Sequence, residues 1–392
     1  MPFITEPINE TQLDTLADVR DWISDTQRSL IRLPVEGVLE QGATFLDDAY
    51  LGDGETLLHF NQPSFAALCR RLGCRTELLE KLETPTLASQ VLNDLLAQRD
   101  TRELLRGDEF VMDERTNTVV GLVSKTYVTY SNDDFICDIE NRLGRLSKEN
   151  QLTFHQAYGI NTNLTIRYVS MVEHGLIEGR GGRGPDRSRV GLEFLNSMVG
   201  TSSVAINYYL HRLVCANGMM VPAASSVSRV KHSGREDTFQ TRLDRSFSEV
   251  VRNLSQLKQL LETLGTMPFD PATITEDSGL TDQIFSVING SKQTISEKER
   301  LYMRLSNDAS RSEREALRRD HDARLIELIP KHFGGEDSCK VFKSDFREKA
   351  TIFDFINVFT EFAKTQGAAR KLEIEEKAGS LAKYMAANAR KL

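Results

Sequence analysis

Apolar residues recur at different spacings along the chain, and these spacings divide it into three regions. In the first hundred residues the spacing is close to the helical period, which predicts amphipathic helices. A first helix is predicted around Trp22 and a second begins near Ser64, behind Pro63. A third covers residues 87–105, and residues 38–60 are punctuated by glycine and aspartate, which predicts a short hairpin. The apolar positions of the first predicted helix are Leu13, Leu16, Val19, Ile23 and Leu30.

The middle of the chain changes to the alternating pattern of β-strands. Residues 118–130, 162–172 and 204–215 are rich in β-branched and aromatic side chains, which predicts three strands. Alternation places Arg167 and Tyr168 on opposite faces of the second strand. It likewise separates Tyr208 from Tyr209 on the third. After the first strand, the sequence SNDDF supplies side-chain oxygens that can cap a helix.

A period close to 3.5 returns after Pro222 and predicts a long helix. This helix is interpreted as part of the core, with an oligomerisation helix as the alternative, because fewer than four heptads seldom specify a coiled coil. A linker is predicted over residues 267–278 and helices over 296–306 and 310–328, followed by an amphipathic helix around Phe359 and a polar helical tail. The seam residues are Phe239, Leu243, Phe247, Val250, Leu254, Leu257, Leu261 and Leu264.

These patterns together predict an α+β fold with a central antiparallel β-sheet flanked by helices and with helical N- and C-terminal regions. Three regions are predicted. Residues 1–110 are mostly helical and acidic, residues 111–265 form an α+β core with a basic Arg/Gly loop and the long helix, and residues 280–392 are helical.

Composition is that of a globular protein, with 40% hydrophobic and 27% charged residues. No apolar run is long enough to span a membrane, and the first residues lack the pattern of a signal peptide. A cytoplasmic protein without membrane contact is therefore expected. The five cysteines are odd in number and scattered, and Cys69 and Cys74 have no second close pair, which predicts reduced thiols rather than a zinc site.

Charge is distributed unevenly along the chain, whose net charge is −8. Residues 1–150 contain 15 Lys and Arg against 27 Asp and Glu, a net charge of −12. Residues 151–260 contain 13 against 8, a net charge of +5. A basic segment in an acidic protein is typical of a local anion site, because steering depends on local potential. Solvated surface arginines are the alternative interpretation.

Residues 173–189, EHGLIEGRGGRGPDRSR, concentrate glycine and arginine between two predicted strands. Glycine lets the backbone approach a phosphate, and arginine forks bind phosphate oxygens in pairs. A dinucleotide fingerprint is excluded because no apolar strand leads into the segment and no helix follows, and no GK[ST] of a Walker loop occurs. The candidates for nucleic-acid binding are Arg167, Arg180, Arg183, Arg187, Arg189, Arg212, Lys231, Tyr168 and Tyr208.

The basic residues of this set would neutralise phosphates, and Tyr168 or Tyr208 would stack on bases. A flexible surface loop is the alternative for the Arg/Gly segment, and half-buried packing is the alternative for each tyrosine. No H-x-H, HExxH or C-x-x-C spacing and no G-x-S-x-G occurs, so no catalytic residue, metal or cofactor is assigned. The sequence favours a protein that is not an enzyme.

Several segments, in order, resemble a family encoded by phages and plasmids. GLVSKTYVTYSNDDF at residues 121–135 is similar to its first strand motif, and HRLVCANG contains its "R-x-V-C-x-N" pattern. A histidine-bearing stretch precedes a long helix at residues 228–247, and INVFTEF at 356–362 resembles a C-terminal helix motif. This is the family that carries the domain of unknown function numbered 932. NSMVGTSS replaces its usual "N-S-H-D-G", and the tryptophan expected before the last motif is absent.

The resemblance implies a setting in mobile elements, where single-strand annealing, recombination and evasion of host defence are common functions. The leading hypothesis is an accessory DNA-metabolism protein that binds or anneals single-stranded DNA as a homo-oligomer. The alternative is a protein-binding module that counteracts or senses a host defence protein, with its acidic N-terminal region imitating nucleic acid. The sequence leaves open the oligomeric state, the choice between DNA and RNA, and the protein partner.

Overall fold

A computed structural model of the protein describes most of the chain in separate stretches. They are residues 10–46, 51–52, 57–79, 81–82, 84–146, 151–177, 186–212, 217–221, 229–269, 280, 283–284, 287 and 350–388. The helices predicted over residues 296–306 and 310–328, and most of the predicted linker over 267–278, lie outside the described residues.

Strands and helices alternate in the first part of the chain, strands follow in the middle, and helices end the described part. The strands are β1 (Glu10–Leu13), β2 (Leu30–Pro34), β3 (Thr44–Phe45), β4 (Leu51–Gly52), β5 (Leu57–Phe60), β6 (Glu109–Asp113), β7 (Thr118–Val123), β8 (Leu152–Ile160), β9 (Asn163–Ser170), β10 (His174–Ile177), β11 (Asp186–Ser197), β12 (Val204–Arg212), β13 (Asn217–Val221) and β14 (Arg229–Val230). The helices are α1 (Leu16–Arg28), α2 (Val35–Glu40), α3 (Gln62–Arg71), α4 (Thr76–Leu79), α5 (Pro85–Ala97), α6 (Arg99–Leu105), α7 (Asn132–Leu143), α8 (Glu236–Arg252), α9 (Leu254–Thr266), α10 (Ile352–Ala363) and α11 (Ala368–Asn388).

Two sheets organise these strands. The larger is antiparallel, with the order β1-β8-β9-β11-β12-β13, with β10 beside β11 and with β14 beside β12. The smaller has the order β2-β6-β7-β5-β4-β3 and is mixed, because β5 and β7 run parallel. Helices pack against both sheets. The predicted α+β class is therefore confirmed. Within the described part of the chain, no helix is long and apolar enough to cross a membrane.

Local sequence explains where the first helices begin and end. The side chain of Thr15 accepts a hydrogen bond from the backbone of Asp18 at 3.1 Å, and the Asp18 carboxylate accepts one in return, so α1 begins at Leu16. The helix predicted through Leu13 and Leu30 was therefore too long, because Leu13 pairs in β1 and Leu30 begins β2.

Two further predicted elements are interrupted. Extended backbone at Gln98 splits the helix predicted over residues 87–105 into α5 and α6. The strand predicted over 118–130 ends at Val123, and Tyr127 beyond it forms an isolated bridge with Ser233. The predicted cap of α7 is confirmed, since Ser131 accepts from the backbone of Asp134 at 3.0 Å.

The seam predicted after Pro222 is buried along its whole length. It is not one helix, because Asn253 departs from helical geometry and separates α8 from α9. All eight seam residues belong to the same apolar core as α10. The interpretation as a core helix is confirmed.

The two faces of the larger sheet bury different kinds of side chain. Register pairing places Tyr168, Leu192 and Tyr208 side by side on one face, which packs on the apolar core with α7 and α8. The opposite face carries Arg167 beside Glu193 and lies beneath α11. The alternation predicted for β9 and β12 is confirmed, and the second face buries charge rather than only apolar side chains.

Candidate nucleic-acid interface and buried ionic cluster

Three of the predicted arginines lie at one end of the larger sheet, at positions that belong to both of its faces. Strand pairing sets Arg187 opposite Gly175 on β10, and it sets Arg212 opposite Ser188, the residue next to Arg189, on β11. Arg187, Arg189 and Arg212 therefore occupy neighbouring positions. We call these three residues the arginine end of the sheet. Because positions alternate along a strand, Arg187 and Arg189 belong to the face that carries Arg167, and Arg212, opposite Ser188, belongs to the other face.

Arg180 and Arg183 lie outside the described residues. They belong to the chain segment that connects Ile177 with Asp186, and these two residues are themselves paired across β10 and β11.

Arg189 is described with its side chain. Its Nη2 lies 3.1 Å from Glu173 Oε1, and the two side chains are 31% and 34% exposed. Its Nε is buried without a hydrogen-bond partner among the described residues. One side of this guanidinium is therefore ion-paired at the surface, and another side faces inward unpaired.

Lys231 lies apart from the arginines. It follows β14, which pairs Val230 with Val204 at the start of β12, whereas Arg212 ends β12. Eight residues of strand span about 26 Å at roughly 3.3 Å per residue. Lys231 is exposed, with exposed Arg229 before it in the chain. The predicted set is therefore split between two ends of one strand.

Arg167 is fully buried and not available to a phosphate in this fold. Its Nε donates to Glu193 Oε2 at 2.8 Å, and its Nη2 also donates to Glu375 Oε2 on α11. Its guanidinium carbon lies 4.3 Å from the ring centre of Tyr209 and 5.2 Å from that of Tyr158. Two carboxylates and two aromatic rings enclose this cation inside the protein, which corrects its predicted role. We call these five residues the buried ionic cluster.

Protonation inside the buried ionic cluster follows from burial and charge. Burial opposes the charge on Arg167, but Glu375, Tyr209 and Glu193 hold its pKa above the ordinary value. Burial raises the pKa of Glu375, against the opposing effects of Arg167 and Lys371. Lys371, also on α11, donates to Tyr158 Oη at 2.6 Å, and burial lowers the pKa of this lysine. The cluster thus extends along α11 toward the edge of the sheet.

Tyr168 and Tyr208 are core residues, with 4% and 5% of their surface exposed. The ring of Tyr168 meets Phe154 and Phe194 edge to face, each at 6.0 Å between centroids. Stacking on a base needs an exposed ring face, so neither tyrosine belongs to a nucleic-acid surface in this fold. The alternative interpretation of both as packing residues is confirmed.

His155 and His211 both lie in the basic segment, and the fold brings them together although no spacing in the sequence pairs them. Their ring centroids are 4.1 Å apart. His155 sits at a bulge of β8 and His211 on β12, with β9 and β11 between the two strands. Strands three positions apart in a flat sheet are separated by about 14 Å. The contact therefore requires the sheet to curve toward this face.

Gly191 on β11 permits the close approach of neighbouring strands at this curve. A Cβ at this position would lie 2.0 Å from the carbonyl oxygen of Tyr168, which is backbone and cannot move aside alone. The strand therefore needs a residue without a side chain here.

A cluster of aromatic rings joins two segments that the family motifs had singled out. The ring of Tyr127 stacks on His232 at 5.2 Å between centroids, and Tyr130 meets Phe239 edge to face at 5.1 Å. His232 Nδ1 lies 3.3 Å from the carbonyl oxygen of Val128. Burial lowers the pKa of His232 to about 4. The motif residues here are therefore structural, since they hold the chain after β7 against the start of α8.

Residues 120–385 match the family model described as Domain of unknown function (DUF932). The chain belongs to this family. The DUF932 region runs from β7 to α11. It includes the arginine end, the buried ionic cluster and the histidine pair, which consists of His155 and His211. No curated protein and no solved structure matches the chain. Among the residues that the structure describes in this DUF932 protein, no group of three or more His, Cys, Asp or Glu could hold a metal ion.

Proposed function

We propose that this DUF932 protein binds nucleic acid, single-stranded DNA in preference, as an accessory DNA-metabolism protein of a phage or plasmid. One observation carries the proposal: Arg187, Arg189 and Arg212 occupy neighbouring strand positions at the arginine end, the first two on one face of the sheet and Arg212 on the other. Arg180 and Arg183 belong to the segment that joins the same strands. Arginine forks match phosphate oxygens in pairs, so several arginines at one place favour a polyphosphate backbone as ligand.

The surrounding charge supports this ligand. Residues 151–260 have a net charge of +5 in a chain whose net charge is −8. Local potential, rather than the total, steers a charged ligand to its site. The proposed interface leaves out Arg167, Tyr168 and Tyr208, which are buried.

Binding at this interface would act through the backbone phosphates, because the predicted stacking tyrosines are in the core. Affinity is then independent of base sequence and falls steeply with salt. The preference for single strands rests on the annealing and recombination functions common in phages and plasmids. Annealing would follow if neighbouring protomers of a homo-oligomer each held one strand.

Binding of labelled single- and double-stranded oligonucleotides across a salt series tests the proposal. The test variant is Arg180/Arg183/Arg187/Arg189→Ala. The matched control changes four exposed arginines of the N-terminal region, Arg70/Arg75/Arg99/Arg106→Ala, and removes the same charge. For single strands, the logarithm of the affinity falls with the logarithm of the salt concentration with a slope of about 0.7 per phosphate contacted. Because four arginines are removed, we expect this slope to be smaller in the test variant than in the wild type by up to about 3.

Salt-dependent binding by the wild type and the control, lost in the test variant, supports the proposal. Equal loss in both variants overturns the assignment of the interface, because net charge alone would then explain binding. Absence of binding at low salt overturns the function. The protein-binding alternative, a partner from a host defence system, would then be tested instead.

A further inference from the structure

The histidine pair, His155 and His211, lies at the edge of the buried ionic cluster, on the face of the sheet beneath α11. Both side chains are half-buried. The ring of Tyr209 stacks at 6.0 Å on His155 and at 6.4 Å on His211, measured between centroids. The two imidazoles therefore both lie within 6.4 Å of the centre of one buried aromatic ring.

Polar atoms at this place lack partners. Arg189 and His211 are directly paired across β11 and β12. Arg189 Nε and His211 Nδ1 are both buried, and neither has a hydrogen-bond partner among the described residues. A buried N–H without an acceptor is costly, and such atoms in a folded protein call for an explanation. Arg189 Nε can only donate, so the missing group must be an acceptor.

The charges that face the two rings are mostly positive. The positive charges of Arg167, Lys371 and Arg189 disfavour protonation of His155. The same three cations and Lys364 disfavour protonation of His211. Burial is the main reason that the pKa of both histidines is lowered to about 4. For His155 the neighbouring His211 contributes next, before the cations, whereas for His211 the cations follow directly.

The negative groups nearby are already engaged. Glu193 and Glu375 pair with Arg167, Glu361 lies 3.1 Å from Lys364, and Glu173 pairs with Arg189 at the surface. Of the cations that act on the two rings, Arg189 is paired with a surface carboxylate, that of Glu173, rather than with a buried one.

We propose that Arg189, His211 and His155 form a pocket for one phosphate group. A phosphate offers several acceptor oxygens and negative charge, which are the two properties this place lacks. A metal ion is disfavoured by the surrounding cations. The pocket adjoins the arginine end, and the assignment of its ligand to a nucleic-acid phosphate rests on the proposed function. Free phosphate has the same chemistry, so the experiment separates the two sources.

Histidine-selective isotope labelling with NMR detection of the ring signals reports on the pocket directly. Inorganic phosphate is titrated at constant ionic strength set with chloride. We expect the signals of His155 and His211 to shift and the pKa of each to rise, because a bound anion stabilises the imidazolium. His232, buried among aromatic rings, is the internal reference and keeps its signal. His155→Gln and His211→Gln assign the two resonances.

Two variants probe the guanidinium. Arg189→Gln is expected to weaken phosphate binding about tenfold, whereas Glu173→Gln removes the surface partner of Arg189 and is expected to strengthen binding a few-fold. The matched control is Glu140→Gln, which breaks a similar pair with Arg20, 3.2 Å apart, between α7 and α1. Unchanged phosphate binding in Arg189→Gln overturns the proposal.

Oligonucleotides of one sequence, with and without a 5′-phosphate, distinguish the sources. If the signals of the two histidines shift with either oligonucleotide, the ligand is a phosphate of the nucleic-acid backbone. If they shift only with the 5′-phosphorylated oligonucleotide, the pocket is assigned to a terminal phosphate. If an oligonucleotide binds but neither histidine signal moves, this inference is overturned and the proposed function stands. If phosphate shifts the signals but no oligonucleotide binds, the proposed function is overturned and the pocket stands as a site for free phosphate.

Discussion

Glu375 on α11 accepts a hydrogen bond inside the protein from Arg167, a residue 208 positions earlier in the chain. Both side chains are fully buried, and Glu193 supplies the second carboxylate. Together they fix the helix to the face of the sheet with a directional contact that an apolar interface would lack.

Removal of the Glu375 carboxylate is expected to destabilise the protein strongly. Glu375→Ala should lower the free energy of unfolding by about 3–5 kcal/mol, because it leaves the buried Arg167 cation with one carboxylate only. Glu375→Gln keeps an acceptor and should cost less. Urea denaturation measures both values. The control Glu140→Gln affects an exposed pair and should change stability by less than about 1 kcal/mol. Equal losses in Glu375→Ala and the control would contradict the prediction.

Gly191 should not tolerate a side chain. We expect Gly191→Ala to lower the free energy of unfolding by about 3 kcal/mol, because the new Cβ would meet the backbone oxygen of Tyr168. Thermal and urea unfolding measure the loss. Gly37→Ala is the matched control, since its Cβ would meet nothing closer than 4.0 Å and alanine favours the helix. A Gly191→Ala protein as stable as the wild type would disprove the close contact.

Acidification should destabilise the fold through its neutral histidines. Burial lowers the pKa of His232 to about 4, whereas a histidine in the unfolded chain titrates near 6.5. Between these values the unfolded state binds more protons, so stability is complete above pH 6.5 and falls as the pH drops toward 4. The loss approaches about 1.4 kcal/mol per pH unit for one histidine.

His232→Phe removes this proton uptake and keeps a ring among Tyr127, Tyr130 and Phe239. Urea denaturation at pH 7.5 and 5 should show a smaller loss for this variant than for the wild type. Phe239→Leu disturbs the same cluster without removing a titrating group. Its free energy of unfolding should therefore lie below that of the wild type by the same amount at both pH values. Identical pH profiles for His232→Phe and the wild type would refute the buried neutral state of this histidine.

The tyrosines of the larger sheet should affect stability rather than binding. Tyr208→Leu removes the ring but keeps an apolar side chain, so we expect a loss of about 2 kcal/mol in stability and unchanged oligonucleotide affinity. Fluorescence anisotropy and urea denaturation give the two values on the same folded sample. A folded Tyr208→Leu protein with weakened binding would restore the stacking role.

Local signals in the sequence predicted much of the fold. Alternation separated Arg167 from Tyr168 correctly, and SNDDF marked the start of α7. The seam from Phe239 to Leu264 was correctly interpreted as core, although Asn253 divides it. These features depend on residues close together in the chain, where periodicity and capping act.

The long-range contacts could not be predicted in the same way. His155 meets His211 only because a bulge and a curved sheet bring distant strands together, and Arg167 is buried by a helix far along the chain. One signal was present for that helix. Ile374, Ala378, Leu381 and Met385 recur at helical spacing in the segment interpreted as a polar tail. That stripe indicates a buried face, but not which strand it covers.

The position of Glu375 also bears on how the chain is made. A ribosome synthesises Arg167 long before Glu375, so the nascent sheet must wait for α11 before this cation has both partners. Contacts of such large sequence separation slow folding, because a long loop must close first. A product that stops short of α11 would leave the Arg167 cation with Glu193 alone and would uncover the sheet face that α11 packs against, a form that quality-control proteases can recognise.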